Sequence, residues 1–187
     1  MSAPRLFFAL WPDLATAGRF EQAAAWSATT AGRRPALADL HVTLCFLGAV
    51  DETAVPALSA RTAAIDAAEF ELEFDALEYW RRSRVLAATC SRTPPAADAL
   101  AQSLRAAARS VGLTPDERPL LPHVSLLRAL GPAAAPRQPP QLAATLRLAA
   151  QRFYLAQSQE LPQTSAGGAA PARYRRLAEW PLRQPCA

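Results

Sequence analysis

The strongest constraint on the fold is a four-residue phrase that occurs twice, once at each of the chain's two histidines. It reads H-V-T-L at residues 41–44 and H-V-S-L at residues 123–126. Alternating polar and apolar residues are typical of a half-buried β-strand, in which residues i and i+2 point to one face. Each phrase therefore predicts a strand that presents an imidazole beside a hydroxyl, His41 with Thr43 and His123 with Ser125.

The repeated histidine indicates an acid–base site. Imidazole titrates near neutral pH, so one histidine can donate a proton while the other accepts one. For either phrase alone, the alternative is a core histidine that is hydrogen-bonded to a neighbour. Ordinary residue usage gives a chance of about one in a thousand that the second histidine would repeat the phrase. A phosphate held between the two strands would meet both imidazoles and both hydroxyls.

Hydrophobic periodicity along the chain predicts an α+β fold with mainly antiparallel sheet. We expect strands at residues 6–10, 40–47, 70–79, 85–90, 123–130, 145–157 and 172–180, and helices at residues 13–28, 51–67 and 96–111. Asp13 is expected to cap the first helix, Gly48 to end the first motif strand and Gly112 to stop the third helix. Residues 131–140 and 158–171 are expected to form loops.

The order of these elements is similar in the two halves of the chain. Strand, helix, motif strand and helix in the first half correspond to strand, strand, helix and motif strand in the second. This indicates two pseudo-symmetric lobes with outer helices and a central cleft, and with one motif in each lobe. We expect a single domain over residues 1–182, followed by a loose tail at residues 183–187.

Charge and cysteine usage narrow the class of protein. The formal charge is +4 and the chain has no lysine, which permits an anionic ligand. Three cysteines with no C-x-x-C pair disfavour a disulfide framework or a zinc ribbon and favour a reducing compartment. Neither a signal peptide nor a membrane-spanning stretch is expected. We therefore expect a soluble, cytoplasmic protein without a membrane partner.

These residues resemble the 2H phosphoesterases, and most closely the RNA 2′,3′-cyclic phosphodiesterases, also called 2′–5′ RNA ligase-like proteins. The resemblance lies in the two His-x-Thr/Ser-x motifs, in residues 5–9, 40–48 and 122–128, and in parts of residues 153–182. It implies a bilobal fold whose motifs face each other across a cleft. It also implies opening of RNA 2′,3′-cyclic phosphate ends to a 2′-phosphate without a metal or cofactor, reversible as 2′–5′ ligation.

The resemblance also assigns roles to the motif residues. It implies that His41 donates a proton to the leaving 3′ oxygen and that His123 accepts a proton from water. Thr43 and Ser125 would then donate hydrogen bonds to the nonbridging oxygens of the phosphate. Arg128 would help to hold the phosphate by the same resemblance. Strand alternation, however, places Arg128 on the face opposite His123, so a charge at the rim of the cleft stays an equal alternative.

Three readings of the function stay open. The leading one is a phosphodiesterase that acts, as a monomer, on RNA ends with a 2′,3′-cyclic phosphate. The second keeps the site but acts on small nucleotide cyclic phosphates, such as ADP-ribose 1″,2″-cyclic phosphate, or on 2′–5′ oligonucleotides. The third is a non-catalytic protein that binds RNA ends.

Several further residues have alternative interpretations. Cys45 is expected on the same strand face as Thr43, which would allow a metal site with His41 and His123, but a fourth ligand is missing and no metal is expected. Aromatic side chains near the start could stack on a base or fill the core: Phe7, Phe8 and Trp11. Basic loop residues could guide RNA or be solvated: Arg33, Arg34, Arg81, Arg82 and Arg84.

Overall fold

The structure is a computed structural model that describes residues 4–23, 32–131, 141–159 and 173–184. These residues form nine strands and three α-helices. The strands are β1 (Arg5–Leu10), β2 (Val42–Ala49), β3 (Phe70–Phe74), β4 (Ala76–Trp80), β5 (Val85–Thr89), β6 (His123–Leu127), β7 (Leu146–Ala150), β8 (Arg152–Ser158) and β9 (Tyr174–Pro181). The helices are α1 (Leu14–Ala23), α2 (Val55–Ala63) and α3 (Pro95–Ser110). This confirms the α+β prediction.

Seven strands form one sheet in the order β4-β5-β6-β2-β1-β8-β9, and β3 pairs with β7 in a separate ribbon. Every pairing between these strands is antiparallel. The motif strands β2 and β6 are neighbours at the middle of the sheet, and one residue pair, Val42 with Val124, joins them. We call this junction the seam. Each half of the sheet ends on a motif strand there, so each half contributes one motif as predicted.

Two long predicted strands are each divided in the structure. Residues 70–79 break at Asp75, whose carboxylate accepts hydrogen bonds from the backbone and hydroxyl of Ser91. Residues 145–157 break at Gln151, between β7 and β8. In both places the chain crosses from the two-stranded ribbon to the large sheet. The alternation of polar and apolar residues continues through such a crossing. Each pair of strands was therefore predicted as one long strand.

The face of the seam opposite the two histidines is the main core. Val42 and Val124 have no exposed surface, and Leu44 and Leu126 are also buried. Helix α3 packs against β2, and α1 packs against β6. Full burial of an aliphatic side chain stabilises a fold by about 1.5–3 kcal/mol. The apolar members of both phrases thus anchor the strands on the core side and leave the polar members on the other side.

The predicted helix signals are largely confirmed. The carboxylate of Asp13 accepts a hydrogen bond from the backbone N–H of Thr16, 2.7 Å away, and this contact lowers the pKa of Asp13. Gly112 follows α3 in the left-handed conformation, with φ +81°. The second helical stretch starts with a 3₁₀ turn at Glu52–Ala54 and ends earlier than predicted, at Ala63.

Two further boundary predictions are wrong. Gly48 does not end β2 but lies inside it with φ +73°, at a register shift opposite Leu6, because glycine tolerates the left-handed backbone of a bulge. Arg183, the first residue of the predicted loose tail, pairs in parallel with Ala68 and exchanges backbone hydrogen bonds with residues 67 and 69.

The other expectations about loops and ends concern residues outside the described part. They are the end of the first helix at residues 24–28, most of the loops at 131–140 and 158–171, and the last residues of the tail, 185–187. Among the described residues, the helices are too short or too polar to cross a membrane.

Candidate active site

The seam brings the four polar motif residues to one face of the sheet. In an antiparallel pair, the neighbours of Val42 and Val124 face each other in crossed order, His41 opposite Ser125 and Thr43 opposite His123. His41, Thr43, His123 and Ser125 are all half-buried, whereas the two valines between them are fully buried. His41 and Ser125 line one small cavity and Thr43 and His123 line another cavity, so each imidazole lies near the hydroxyl of the other motif.

Both imidazoles are oriented by the same kind of hydrogen bond. Nδ1 of His41 lies 2.7 Å from the carbonyl oxygen of Asp39, and Nδ1 of His123 lies 2.8 Å from that of Leu121. Because a carbonyl oxygen only accepts, each Nδ1 carries the hydrogen. In the neutral state each Nε2 is then a free acceptor, and after protonation it is a donor. Each ring can thus act as a base when neutral and as an acid when protonated, in both cases through its own Nε2.

Three aromatic rings surround His41. Trp11 stacks on the imidazole with 5.2 Å between ring centroids, and Phe7 lies at 5.2 Å. Tyr174, at the start of β9, packs edge-on at 4.6 Å. The indole Nε1 of Trp11 donates to the carbonyl of Ala38, 2.9 Å away, next to the residue that orients His41. We call Phe7, Trp11 and Tyr174 the aromatic cage.

His123 has a more polar environment. Trp80 packs edge-on against its ring at 4.7 Å, and the indole of Trp80 donates to the carboxylate of Glu78 over 2.9 Å. The other carboxylate oxygen of Glu78 accepts from the hydroxyl of Thr89 at 3.1 Å. The negative charge of Glu78 therefore lies near His123, whereas the aromatic cage gives His41 no such partner.

These environments lower both imidazole pKa values. The pKa of His41 is lowered to about 4, chiefly by burial and also by the charges of Arg128 and His123, while the hydrogen bond to the carbonyl of Asp39 acts in the opposite direction. Burial also lowers the pKa of His123, with Arg128 acting in the same direction and with the Leu121 carbonyl and Glu78 opposing. Without a ligand, His41 is neutral at pH 7, and a bound anion is needed to favour its charged form.

Arg128 lies on the side of the two histidines, despite the alternation of the strand. A register shift in β6 falls between Ser125 and Leu127, where the strand ends. Nη2 of Arg128 donates to Oγ of Ser125, 3.1 Å away, and the backbone of Arg128 pairs with that of Arg33. Strand alternation does not predict the side of Arg128 correctly, because β6 does not continue regularly to residue 128.

Two cavities meet at this site. The first, of about 530 Å³, is the leucine pocket, lined by Phe46, Trp80, Pro119, Leu120, Leu121 and His123. The second, of about 360 Å³, is the arginine pocket, lined by Arg5, Arg33, His41, Arg128, Arg173 and Tyr174. Thr43 and Phe46 border both cavities. Each histidine thus belongs to a different pocket, with Thr43 between them.

The expected position of Cys45 is wrong. Thr43 pairs with Ala9 while Cys45 pairs with Phe8, so a bulge at Leu44 shifts the alternation of β2. Phe46 takes the site face, and Cys45 lies in the core with 3% exposure. Burial raises the pKa of its thiol to about 12, which disfavours the thiolate that a metal would need. Among the described residues, His, Cys, Asp and Glu form no group of three that could hold a metal.

The remaining candidates divide between site and surface. Phe7 and Trp11 contact His41, while Phe8 is fully buried against Phe153 and Trp180. Arg33 lines the arginine pocket, and Arg34 borders a separate small cavity. The turn between β4 and β5 exposes three arginines: Arg81, Arg82 and Arg84.

Three residues around the histidines were not among the candidates from the sequence: Asp39, Trp80 and Tyr174. Asp39 is 7% exposed, and its carboxylate accepts from the backbone N–H groups of Arg173 and Tyr174 at 2.8 and 3.3 Å. The sequence shows an acidic residue two positions before a motif histidine, but its burial, and with it the need for partners, is visible only in the structure. The partner on β9, more than a hundred residues away, has no signal in the sequence.

The fold is α+β with an antiparallel central sheet, and two matched histidines lie next to its seam. These features define the class of 2H phosphoesterases. The chain belongs to the 2′–5′ RNA ligase superfamily, whose sequence profile matches residues 12–160. Similar proteins include the RNA 2′,3′-cyclic phosphodiesterase of Escherichia coli K12, 41% identical over 133 residues, which are 68% of this chain and 74% of that protein.

Solved structures agree with this membership. A crystal structure of a phosphoesterase superposes with a TM-score of 0.79 and 32% identity, covering 97% of this chain and 99% of that one. Escherichia coli LigT in complex with 3′-AMP has a TM-score of 0.76 and 34% identity, with coverage of 97% and 99%.

Proposed function

We propose that this protein is a metal-independent phosphodiesterase that opens 2′,3′-cyclic phosphate ends of RNA and leaves a 2′-phosphate. The arrangement at the seam carries the proposal: two imidazoles held by the same kind of hydrogen bond each lie near the hydroxyl of the other motif, with Arg128 next to Ser125. Membership of the 2′–5′ RNA ligase superfamily and the likeness to an RNA 2′,3′-cyclic phosphodiesterase support the same reaction.

The reaction is an in-line displacement at phosphorus. Water attacks the phosphorus and transfers a proton to Nε2 of neutral His123, while the bond from phosphorus to the 3′ oxygen breaks. Protonated His41 gives its Nε2 proton to that oxygen. The entering and leaving oxygens lie on opposite sides of the phosphorus. His41, directly before β2, and His123, at the start of β6, can each reach one of them. Each proton transfer contributes a factor of about 10²–10⁴ in rate.

The hydroxyls and Arg128 stabilise the charge of the transferred phosphate. Thr43 and Ser125 donate hydrogen bonds to the two nonbridging oxygens, on which charge increases in the transition state. Arg128 adds a positive charge and donors in a planar fork that suits phosphate. The bound anion also offsets the effect of Arg128 on His41 and so raises the pKa of His41. Binding of the substrate phosphate thus favours the protonated form of His41, which is the form that donates the proton.

The test is product analysis with a short RNA that ends in a 2′,3′-cyclic phosphate. We expect ring opening to a 2′-phosphate, and the same rate with and without EDTA. A 3′-phosphate product would contradict the proposed roles of the two histidines. Tight binding of this RNA with no product after long incubation would instead favour a protein that only binds RNA ends.

A second candidate function uses the same site on small nucleotide cyclic phosphates. It is supported by the complex of the similar LigT structure with 3′-AMP, a mononucleotide. The ratio of kcat/KM for a cyclic-phosphate RNA to that for a 2′,3′-cyclic mononucleotide discriminates between the two. A ratio well above one favours RNA ends, and a ratio near or below one favours the small substrate.

We also propose a role in RNA processing, a cytoplasmic location and a monomeric state. The unpaired thiols of Cys45 and Cys90 are consistent with a reducing compartment. Light scattering on the purified protein tests the monomer, and fractionation of the source cells tests the location.

A further inference from the structure

We propose that Glu78 is a positioning residue for His123: its carboxylate holds the indole of Trp80 against the imidazole and keeps a negative charge beside the base of the reaction. This inference rests on the proposed function, because it uses the role of His123 as the proton acceptor. Glu78 acts through these two side chains, not on the phosphate itself.

Strand register places Glu78 on the face of the sheet that carries the two histidines. Glu78 in β4 lies opposite Ala87 in β5, and Ala87 lies opposite Ser125 in β6. Thr89, two residues further along β5, lies opposite His123. Directly paired residues point to the same face of a sheet, and so do residues two apart on one strand. Glu78 and His123 therefore share one face, with a single strand between them.

The carboxylate of Glu78 joins β4 to β5. Its Oε2 accepts from Nε1 of Trp80 at 2.9 Å, and its Oε1 accepts from the hydroxyl of Thr89 at 3.1 Å. Thr89 is 1% exposed, which fixes that donor in place, whereas β4 is an edge strand that only β5 pairs with in this sheet. Trp80 in turn packs edge-on against the imidazole of His123. Glu78 thus ties the ring that contacts His123 to the strand that pairs with His123.

Glu78 keeps its negative charge, because both of its donors are neutral groups, an indole and a hydroxyl. Burial lowers the pKa of His123 and the Leu121 carbonyl opposes it; of the nearby charges, Arg128 lowers this pKa and Glu78 raises it. His41, across the seam, is neutral at pH 7. The charged side chains that line the leucine pocket beside His123 have partners of their own: Asp116 with Arg118, and Arg105 with two backbone carbonyls.

A carboxylate beside an imidazole suits a base and not an acid. When His123 accepts a proton from water it becomes an imidazolium, and Glu78 stabilises this new positive charge. His41 loses a positive charge in the same step, so a carboxylate beside it would hold the proton back. Asp39 contacts the ring of His41 with its carbonyl oxygen, while its carboxylate accepts from two backbone N–H groups at the start of β9. The surroundings of the two rings therefore match their different roles.

The first measurement is the pKa of His123, by NMR titration of its ring protons without substrate. Glu78→Gln replaces the carboxylate by an amide of the same shape and should lower this pKa, and lower it more than that of His41, because the imidazolium loses its charged partner. Glu78→Asp keeps the charge and should keep the pKa above that in Glu78→Gln. Trp80→Phe keeps a ring but frees Oε2 of Glu78, so it should lower the pKa by a smaller amount.

The second measurement is steady-state kinetics on an RNA that ends in a 2′,3′-cyclic phosphate. Glu78→Gln should lower kcat by about 3–10-fold, a modest part of the factor of about 10²–10⁴ that a proton transfer contributes. KM should change little, because the positive charge on His123 develops only in the transition state. Glu78→Asp should recover most of the loss in kcat.

The matched control is Glu73→Gln, which removes the same charge from an exposed strand carboxylate that also has a polar partner, Arg147 at 2.9 Å, in the separate two-stranded ribbon. It should leave the pKa of His123 and kcat unchanged. An unchanged pKa in Glu78→Gln or Trp80→Phe, an equal shift in Glu73→Gln, or a lowered pKa with an unchanged kcat in Glu78→Gln would each overturn the inference. Absence of ring opening by the unaltered protein would overturn the proposed function instead, and the titration would still report whether Glu78 acts on His123.

Discussion

The carbonyl oxygen of Asp39 lies 2.7 Å from Nδ1 of His41 and fixes the orientation of that ring. The carboxylate of the same residue accepts from the backbone N–H groups of Arg173 and Tyr174 and thereby holds Tyr174 against the imidazole. One residue thus joins β9, the aromatic cage and the proposed proton donor. We infer that Asp39 is a positioning residue for His41.

The first prediction concerns this junction. Asp39→Ala leaves two backbone donors without an acceptor, which should lower the free energy of unfolding by about 1–3 kcal/mol. Displacement of Tyr174 and His41 should lower kcat by about 10–100-fold, because small shifts of a reacting group are costly. Asp39→Asn retains an acceptor oxygen and should stay within a few-fold of the unaltered protein. Equal losses in both variants would contradict the hydrogen-bonding role and indicate that the charge matters.

The second prediction concerns the two hydroxyls. Thr43→Ala and Ser125→Ala should each lower kcat by about 10²–10³-fold, the usual cost of losing one donor to a developing oxyanion. The controls exchange the two residue types, Thr43→Ser and Ser125→Thr, because the motifs themselves differ only in this methyl group. Steady-state kinetics on a 2′,3′-cyclic substrate provides the comparison. A full loss in the hydroxyl-retaining variants would show that packing, not donation, is being measured.

The third prediction concerns Arg128. Its charge lowers the pKa of both imidazoles, so Arg128→Gln should raise both values, whereas Arg128→Lys should keep them low. NMR titration of the ring protons reports them directly, since the chain has only two histidines and a variant at either one assigns the signals. Unchanged titration in Arg128→Gln would place the guanidinium too far from the rings to act on a shared phosphate.

The fourth prediction is a pH dependence of stability. Burial lowers the pKa of His41 from 6.5 to about 4, so between these pH values the unfolded chain binds more protons at this residue than the folded chain. Stability should therefore fall as pH decreases from about 6.5 to 4, by about 3 kcal/mol from this group. His41→Gln removes the contribution, and the difference in unfolding free energy between the two proteins should change over that interval. A constant difference from pH 4 to 7 would contradict the low pKa.

The sequence predicted the core of the site because both motifs depend on local alternation. Val42 and Val124 anchor one face in the core, and this forces their neighbours to the other face. The repeated phrase also indicated that the two strands serve one site. That they are neighbours joined at one residue pair needed the structure, since strand pairing is not encoded in either phrase.

The failures have physical causes at identifiable residues. Alternation was extended beyond two irregular points, the bulge at Leu44 and the register shift after Ser125. The first misplaced Cys45, and the second made the position of Arg128 ambiguous. A bulge inserts one extra residue into a strand and so shifts the register of the residues that follow, and the residue types at the bulge do little to reveal it. The aromatic cage around His41 was not predicted: Phe7 and Trp11 were considered only for base stacking or the core, and Tyr174 reaches His41 through the pairing of β8 with β9 and of β1 with β8.

Both histidines take their orientation from a main-chain oxygen, that of Asp39 or Leu121. Every amino acid supplies such an oxygen, so no replacement at position 39 or 121 can delete the acceptor itself. Substitutions at these two positions can change the side chains around the rings, whereas the hydrogen on each Nδ1 stays fixed by the path of the backbone.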